Sequence, residues 1–292
     1  MTASDHGGAH NGDLLHVPRE ASAPIGVFDS GVGGLTVARE LMRQLPGESI
    51  LYVGDTARVP YGPKSPETVR RYSRDIAAYL LDQGAKVVVI ACNTATAHAL
   101  AALRAELPVP VVGVVEPGAR AALAANGHPA HRPRRVGVIG TAGTVRSGAY
   151  EHAIRALAPD TEVIAQACPL FVPFVEEGWL DHDATRLVAH EYLGPMRDRR
   201  VDTLVLGCTH YPLLKPLLAE VVGPDVRLID SAEETAAEAG SVLAAANLRA
   251  PAGGAPPHHR FVVTDAAEQF SRTAAHFLGA PLEHVETLAL AG

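Results

Sequence analysis

Two cysteines sit in matching surroundings. Cys92 follows Val87-Val88-Val89-Ile90-Ala91 and precedes Asn93-Thr94, while Cys208 follows Thr203-Leu204-Val205-Leu206-Gly207 and precedes Thr209-His210. A lone cysteine at the end of an apolar run reads as a small buried hydrophobe. Two at the same point of similar segments suggest chemistry. A thiolate can serve as nucleophile, metal ligand or base. A metal centre wants clustered Cys and His; Cys208 with His210 is too few, and Cys92 has neither nearby. A single nucleophile would leave the second motif without a role. Two thiols facing each other across a pocket suit another kind of chemistry, in which one removes a proton from carbon and the other delivers one to the opposite face, inverting a stereocentre. A reference pKa of about 8.5 lets one be thiolate and the other thiol near neutral pH. Cys168, which precedes Pro169, lacks the strand-end setting and reads as structural.

Other groups gain weight from their place around these motifs. Asp29-Ser30-Gly31-Val32-Gly33-Gly34 is glycine-rich and opens a helix, but it lacks the Lys of a P-loop, and Thr36 stands where a dinucleotide fingerprint needs Gly. Backbone N–H groups at such a start can still receive a carboxylate. Asp29, at a strand's C-terminal end, points toward the expected crevice. His210 matters because it belongs to a cysteine motif. Glu176, after Phe171-Val172-Pro173-Phe174-Val175, has little support from sequence alone.

The elements that must hold these residues read as alternating strands and helices. The valine-rich run before each cysteine has the continuous apolar character of a parallel strand buried on both faces. Open α/β sheets bind ligands just past such strand ends. Ile25–Phe28, Ser49–Val53, Lys86–Ala91 and Val111–Val115 are expected strands, the last interrupted by Glu116-Pro117-Gly118. Helices are expected over Leu35–Leu45, Pro66–Gln83 with Ser65 as cap, and Ala95–Ala105. Between Gly54 and Lys64 a proline-bearing loop carries Tyr61 and Gly62, and long ordered loops are usually functional. The pattern then restarts, because Val136-Gly137-Val138-Ile139-Gly140-Thr141-Ala142-Gly143-Thr144 mirrors Ile25 to Gly33. An internal duplication follows, with two similar α/β halves. The C-terminal part has no counterpart in the first half, so it is expected to pack back on one domain. The expected fold is α/β: two pseudo-symmetric domains, each a mostly parallel sheet flanked by helices, with the site at their interface. The boundaries are 24–116 plus 230–292 for the first domain and 117–229 for the second.

Composition agrees with this class. The chain has 292 residues, 47% hydrophobic, 20% charged and 5% aromatic, with a formal charge of −7. That size favours two domains. The acidic balance argues against nucleic acid as a substrate, since phosphate binding needs a basic face. No apolar run approaches the roughly 20 residues of a membrane span. The segment from Met1 to Ala23 has neither an apolar core nor the hydrophobic stretch of a signal peptide. A disordered tail, a cytoplasmic protein and free thiols are expected.

Taken together, Gly26 to Gly34, Gly54-Asp55-Thr56 with Pro60-Tyr61-Gly62, Ala91-Cys92-Asn93-Thr94-Ala95, Phe171-Val172-Pro173 and Leu206-Gly207-Cys208-Thr209-His210-Tyr211-Pro212 resemble the glutamate racemases, of the cofactor-independent aspartate/glutamate racemase family. The resemblance spans residues 24 to 230 or so. It implies a two-base racemase without pyridoxal phosphate or metal, which makes D-glutamate for bacterial peptidoglycan, with a homodimer as the expected assembly. By that analogy Cys92 deprotonates D-glutamate and Cys208 L-glutamate. Asp29 assists the first thiol, and Glu176 and His210 the second. Substrate contacts map to Asp29-Ser30, Tyr61-Gly62, Asn93-Thr94 and Thr209-His210. Two other readings stay open: aspartate or a hydantoin as substrate, and a binding protein that keeps the pocket without catalysis. The Tyr61 loop and Thr209-His210 favour glutamate, and the intact cysteine pair counts against a mere binder.

Overall fold

The computed structural model describes residues 20–124 and 134–289. The tail expected before residue 24 lies outside the described residues except for 20–23. The chain runs β1 (Ile25–Asp29), α1 (Leu35–Gln44), β2 (Ile50–Gly54), α2 (Pro66–Asp82), β3 (Val87–Ile90), α3 (Asn93–Glu106), β4 (Val111–Gly113) and α4 (Val115–Ala124). Next come β5 (Arg135–Gly140), α5 (Ala142–Ser147), α6 (Ala149–Leu157), β6 (Glu162–Ala167), α7 (Phe171–Glu176), α8 (Asp183–Asp198), β7 (Thr203–Gly207), α9 (Lys215–Val222) and β8 (Arg227–Asp230). It closes with α10 (Ser231–Ala245), β9 (Arg260–Val263), α11 (Ala267–Leu278) and β10 (Glu286–Thr287).

Among the described residues two sheets result, in the orders β10-β9-β2-β1-β3-β4 and β6-β5-β7-β8. Every pairing is parallel. The second sheet repeats the β2-β1-β3-β4 order of the first, so the duplication seen in the residues is also a duplication of topology. In each half the cysteine strand pairs with the first strand: Ile25 lies opposite Val87, and Val136 opposite Thr203. The C-terminal segment extends the first sheet through β9 on β2.

The apolar runs are buried on both faces, as their patterning requires. Val87 and Val89 pack into one core, and Val88 and Ile90 into another on the opposite side of the sheet. Helix α1 turns Leu35, Ala38 and Leu41 inward against α10 and α11, while α2 and α3 cover the other face. Local signals set the helix ends. Ser65 caps α2 by accepting from the Thr68 N–H at 3.2 Å, with Pro66 following at the first helical position.

Two local expectations are corrected. Glu116-Pro117-Gly118 does not interrupt a strand; it lies in the first turn of α4, where proline's missing N–H has no intrahelical partner to lose. Helix α3 begins at Asn93 rather than Ala95, because Cys92 itself is the cap.

At the end of the first sheet remote from the cysteines lies a fully buried cation. Lys86 Nζ sits 2.5 Å from Glu48 Oε2 and also donates to the Ala21 carbonyl. Glu48 Oε1 accepts from the Ala250 N–H at 2.8 Å. One ion pair thus ties the segment before β1, the turn after α1, the start of β3 and the stretch after α10.

Candidate active site

The C-terminal ends of both sheets open on one pocket. The first sheet contributes Ser30 and Gly31 past β1, Tyr61 and Gly62 from the loop after β2, and Cys92, Asn93 and Thr94 past β3. Thr141 past β5, Val172 and Glu176 on α7, and Cys208, Thr209 and His210 past β7 come from the second. Every candidate named from sequence lines this pocket except Asp29. That carboxylate lies fully buried at the end of β1, behind the wall.

Cys92 combines a strand end with a helix start. As N-cap of the 14-residue α3 it accepts from the Ala95 N–H at 3.4 Å, and its thiol donates to Ser30 Oγ at 3.7 Å. A helix N-terminus favours a thiolate. Burial works against it and pushes the Cys92 thiol up to about 12, with the nearby Asp29 charge adding to the effect. Asp29 accepts from the Gly31 N–H at 2.9 Å through Oδ2, while its Oδ1 has no partner. Burial raises that carboxyl above its ordinary value, although the His210 charge and the N–H groups of Gly31, Gly34 and Ser30 pull it down. Around Cys92 these influences favour the neutral thiol.

Cys208 has a different neighbour. Its Sγ lies 3.9 Å from His210 Nδ1, and His210 Nε2 lies 2.9 Å from Glu176 Oε1. Burial alone would lower the imidazole pKa, but the Cys208 sulfur and the Glu176 carboxylate outweigh it and push the value up to about 10. The ring of Phe277, from α11, packs edge-on against His210 with centroids 5.3 Å apart. Cys208 therefore faces an imidazolium. In the duplicated register Asp29 matches Gly140 and Ser30 matches Thr141, so the second half has no acid at the first strand's end and takes its acid from α7.

Several neighbours of the site carried no individual signal in the sequence. Thr141 could have been found only through the duplication; its hydroxyl meets Thr94 Oγ1 of the other half at 2.8 Å and Thr144 Oγ1 of its own half at 3.1 Å. The Tyr61 hydroxyl donates to Asp55, which also accepts from Arg58 Nε at 2.7 Å and from Thr264 Oγ1 at 3.0 Å. Cys168 is corrected in one respect: it does sit just past a strand, β6. Its side chain faces the hydrophobic core and does not line the pocket. Neither Lys nor Arg among the described residues lines the pocket. Among the described residues, no group of three or more His, Cys, Asp or Glu is placed to hold a metal ion, and no helix is long and apolar enough to cross a membrane.

Comparison with known proteins places this arrangement. The family model for Asp/Glu/Hydantoin racemase matches residues 25–239. A glutamate racemase of Geobacter metallireducens is 53% identical over 266 residues, covering 91% of this chain and 96% of that protein. Among solved structures, a glutamate racemase isoform of Bacillus anthracis superimposes with a TM-score of 0.86 at 42% identity, covering 93% of this chain and 99% of that one. The glutamate racemase of Francisella tularensis, solved in complex with D-glutamate, gives 0.85 at 38% identity, over 92% of this chain and 98% of that one. With a family match that runs from β1 into α10 and relatives this similar over most of its length, the chain belongs to the Asp/Glu/Hydantoin racemase family.

Proposed function

We propose that this protein interconverts L- and D-glutamate by a two-base mechanism, without pyridoxal phosphate or metal. The observation that carries the reading is the pair of thiols, one at the end of each duplicated cysteine strand, in a single pocket. Cys208, as thiolate beside the His210 imidazolium, removes the Cα proton of L-glutamate. The C–H electron pair passes into the α-carboxylate, and an S–H bond forms at Cys208. Cys92, the neutral thiol, then gives its proton to the opposite face of Cα and becomes the thiolate. D-Glutamate runs the same steps in reverse, with Cys92 as base. Asp29 assists Cys92, and Glu176 holds His210. Ser30, Asn93, Thr94 and Thr209 are the side-chain donors for the two carboxylates. Tyr61, whose hydroxyl is engaged by Asp55, contributes with Gly62 through its backbone.

The remaining expectations belong to the same proposal. The two sheets form two domains, 24–116 with 230–292 and 117–229. The protein works in the cytoplasm as a homodimer and supplies D-glutamate for peptidoglycan.

The deciding experiment is racemisation in deuterated water. Each glutamate enantiomer should gain deuterium at Cα chiefly as it inverts, while aspartate run alongside should exchange far more slowly. Binding of glutamate with no Cα exchange would sink the catalytic reading, and faster exchange of aspartate would sink the substrate.

The glycine-rich loop yields a second expectation. A Cβ built on Gly33 would overlap Thr209 Oγ1 and fall 2.5 Å from His210 Nδ1. This glycine lets the start of α1 approach the second cysteine motif. Gly33→Ala must displace Thr209 and His210, and misplacement on the order of 1 Å at a reacting centre costs about a hundredfold. A loss of roughly that size in kcat/KM is expected, measured by the same assay, with the fold retained by circular dichroism.

A further inference from the structure

Asn93 Nδ2 is a buried donor at the pocket with no hydrogen-bond partner. Native structures rarely leave such a group unpaired, and those that do tend to keep it for a ligand or for chemistry. Its orientation has a cause. Asn93 Oδ1 accepts from the hydroxyl of Tyr150 at 2.7 Å, and Tyr150 comes from α6 in the other half of the chain. A phenol can donate or accept, so the direction must be settled elsewhere. The atom of Asn93 that faces the phenol is its oxygen, and an amide oxygen only accepts, so the phenolic proton points to Asn93. The amide therefore presents its oxygen to Tyr150 and turns its NH2 end away, unpaired. Burial raises the Tyr150 phenol above its ordinary value, so it stays a donor at working pH.

The same ring touches the other cysteine motif. A Cβ built on Gly207 would lie 2.7 Å from the Ile139 carbonyl oxygen and 3.0 Å from Tyr150 Cε2, so the ring of Tyr150 packs close to the residue before Cys208. One side chain thus contacts the residue after Cys92 and the residue before Cys208.

We propose that Tyr150 is a positioning residue that turns the Asn93 NH2 group toward a substrate carboxylate and spaces the two cysteine motifs across the pocket. The inference rests on the glutamate reading above. Tyr150→Phe keeps the ring and removes one O–H, so its thermal midpoint should stay within a few degrees of wild type. KM for glutamate should rise roughly ten- to hundredfold, the range for a buried hydrogen bond lost at a charged ligand, with a much smaller change in kcat. Asn93→Ala should show a similar loss, and adding Tyr150→Phe to it should cost less than about twofold more, since the two act as one unit. A wild-type KM in Tyr150→Phe, or losses that simply add, would overturn the proposal.

A readout without turnover separates this inference from the function it rests on. In the ligand-free protein labelled at asparagine nitrogen, the Asn93 NH2 resonances are identified by their loss in Asn93→Ala. They should exchange slowly with water in wild type, then shift and exchange faster in Tyr150→Phe. Unmoved resonances would refute the positioning role even in an active racemase. A clear shift in a protein that leaves glutamate unchanged would refute the function and keep the role. If Tyr150→Phe fails to fold, Tyr150→Met removes the hydroxyl while a flexible apolar side chain fills the space. That variant should move the same resonances and raise KM several-fold, and no change in either would count against the proposal.

Discussion

Replacing either pocket cysteine with serine is expected to lower glutamate racemisation by roughly three to four orders of magnitude, the upper range for loss of a positioned acid or base. Serine keeps the shape of the side chain but is far less acidic, so it can serve neither as the base that takes the Cα proton nor as the acid that returns one. The two substitutions are not expected to fail alike. Cys208→Ser removes the base paired with the His210 imidazolium, and the stopped step is proton removal from L-glutamate. Cys92→Ser leaves that base intact and removes the acid, so L-glutamate should still lose its Cα proton to Cys208 and regain one from the same side. Deuterium would then enter L-glutamate without inversion in Cys92→Ser, at a rate above that of Cys208→Ser. Chiral chromatography with mass spectrometry measures both quantities. Full racemisation by either variant would refute the two-base assignment.

The second large effect concerns stability. Lys86→Met should destabilise the fold by about 3–5 kcal/mol, because it leaves the Glu48 carboxylate buried without its counter-charge. The ion pair lies at the opposite end of the strand that leads to Cys92, so the loss should appear in urea unfolding and not in the kcat of the folded fraction. Lys86→Met combined with Glu48→Leu should recover most of the deficit, since replacing both ions with apolar groups avoids the stranded charge. If the single variant matches wild type in its unfolding midpoint, the pair is not holding the four segments it joins.

Much of this architecture was legible in the residues because the signals are local. Valine-rich runs, a Ser-Pro helix start and small-residue turns specify strands and helices over a few positions, and the repeated cysteine motif places two such units in equivalent settings. The pocket wall followed for the same reason: Ser30, Asn93, Thr94, Thr209 and His210 adjoin strand ends that were already visible. Glu176 reached the site through a pairing with His210 that spans 34 residues of chain, and only the family resemblance suggested it. Tyr150 and Phe277 were hidden because a large side chain on a helix face looks the same whether it fills a core or steadies an active-site group. Lys86 read as the start of a strand, where a cation is expected to reach solvent. Cys168 looked unlike the other two because Pro169 follows it, and β6 nonetheless ends at its door. The Glu116-Pro117-Gly118 expectation failed because proline breaks structure at most positions and is tolerated in a helix's first turn.

The unequal settings of the two thiols have a consequence set by detailed balance. In achiral water the enantiomers have the same free energy, so their equilibrium constant is unity and kcat/KM must be identical in the two directions. Asp29 behind one thiol and the imidazolium beside the other cannot make the enzyme a net producer of either hand. They can only divide the shared barrier differently, lowering KM and kcat together for the enantiomer bound more tightly and raising both for its mirror image. Net flow toward D-glutamate in a cell must therefore come from whatever consumes that enantiomer, and the asymmetry of the pocket decides only how soon each direction saturates.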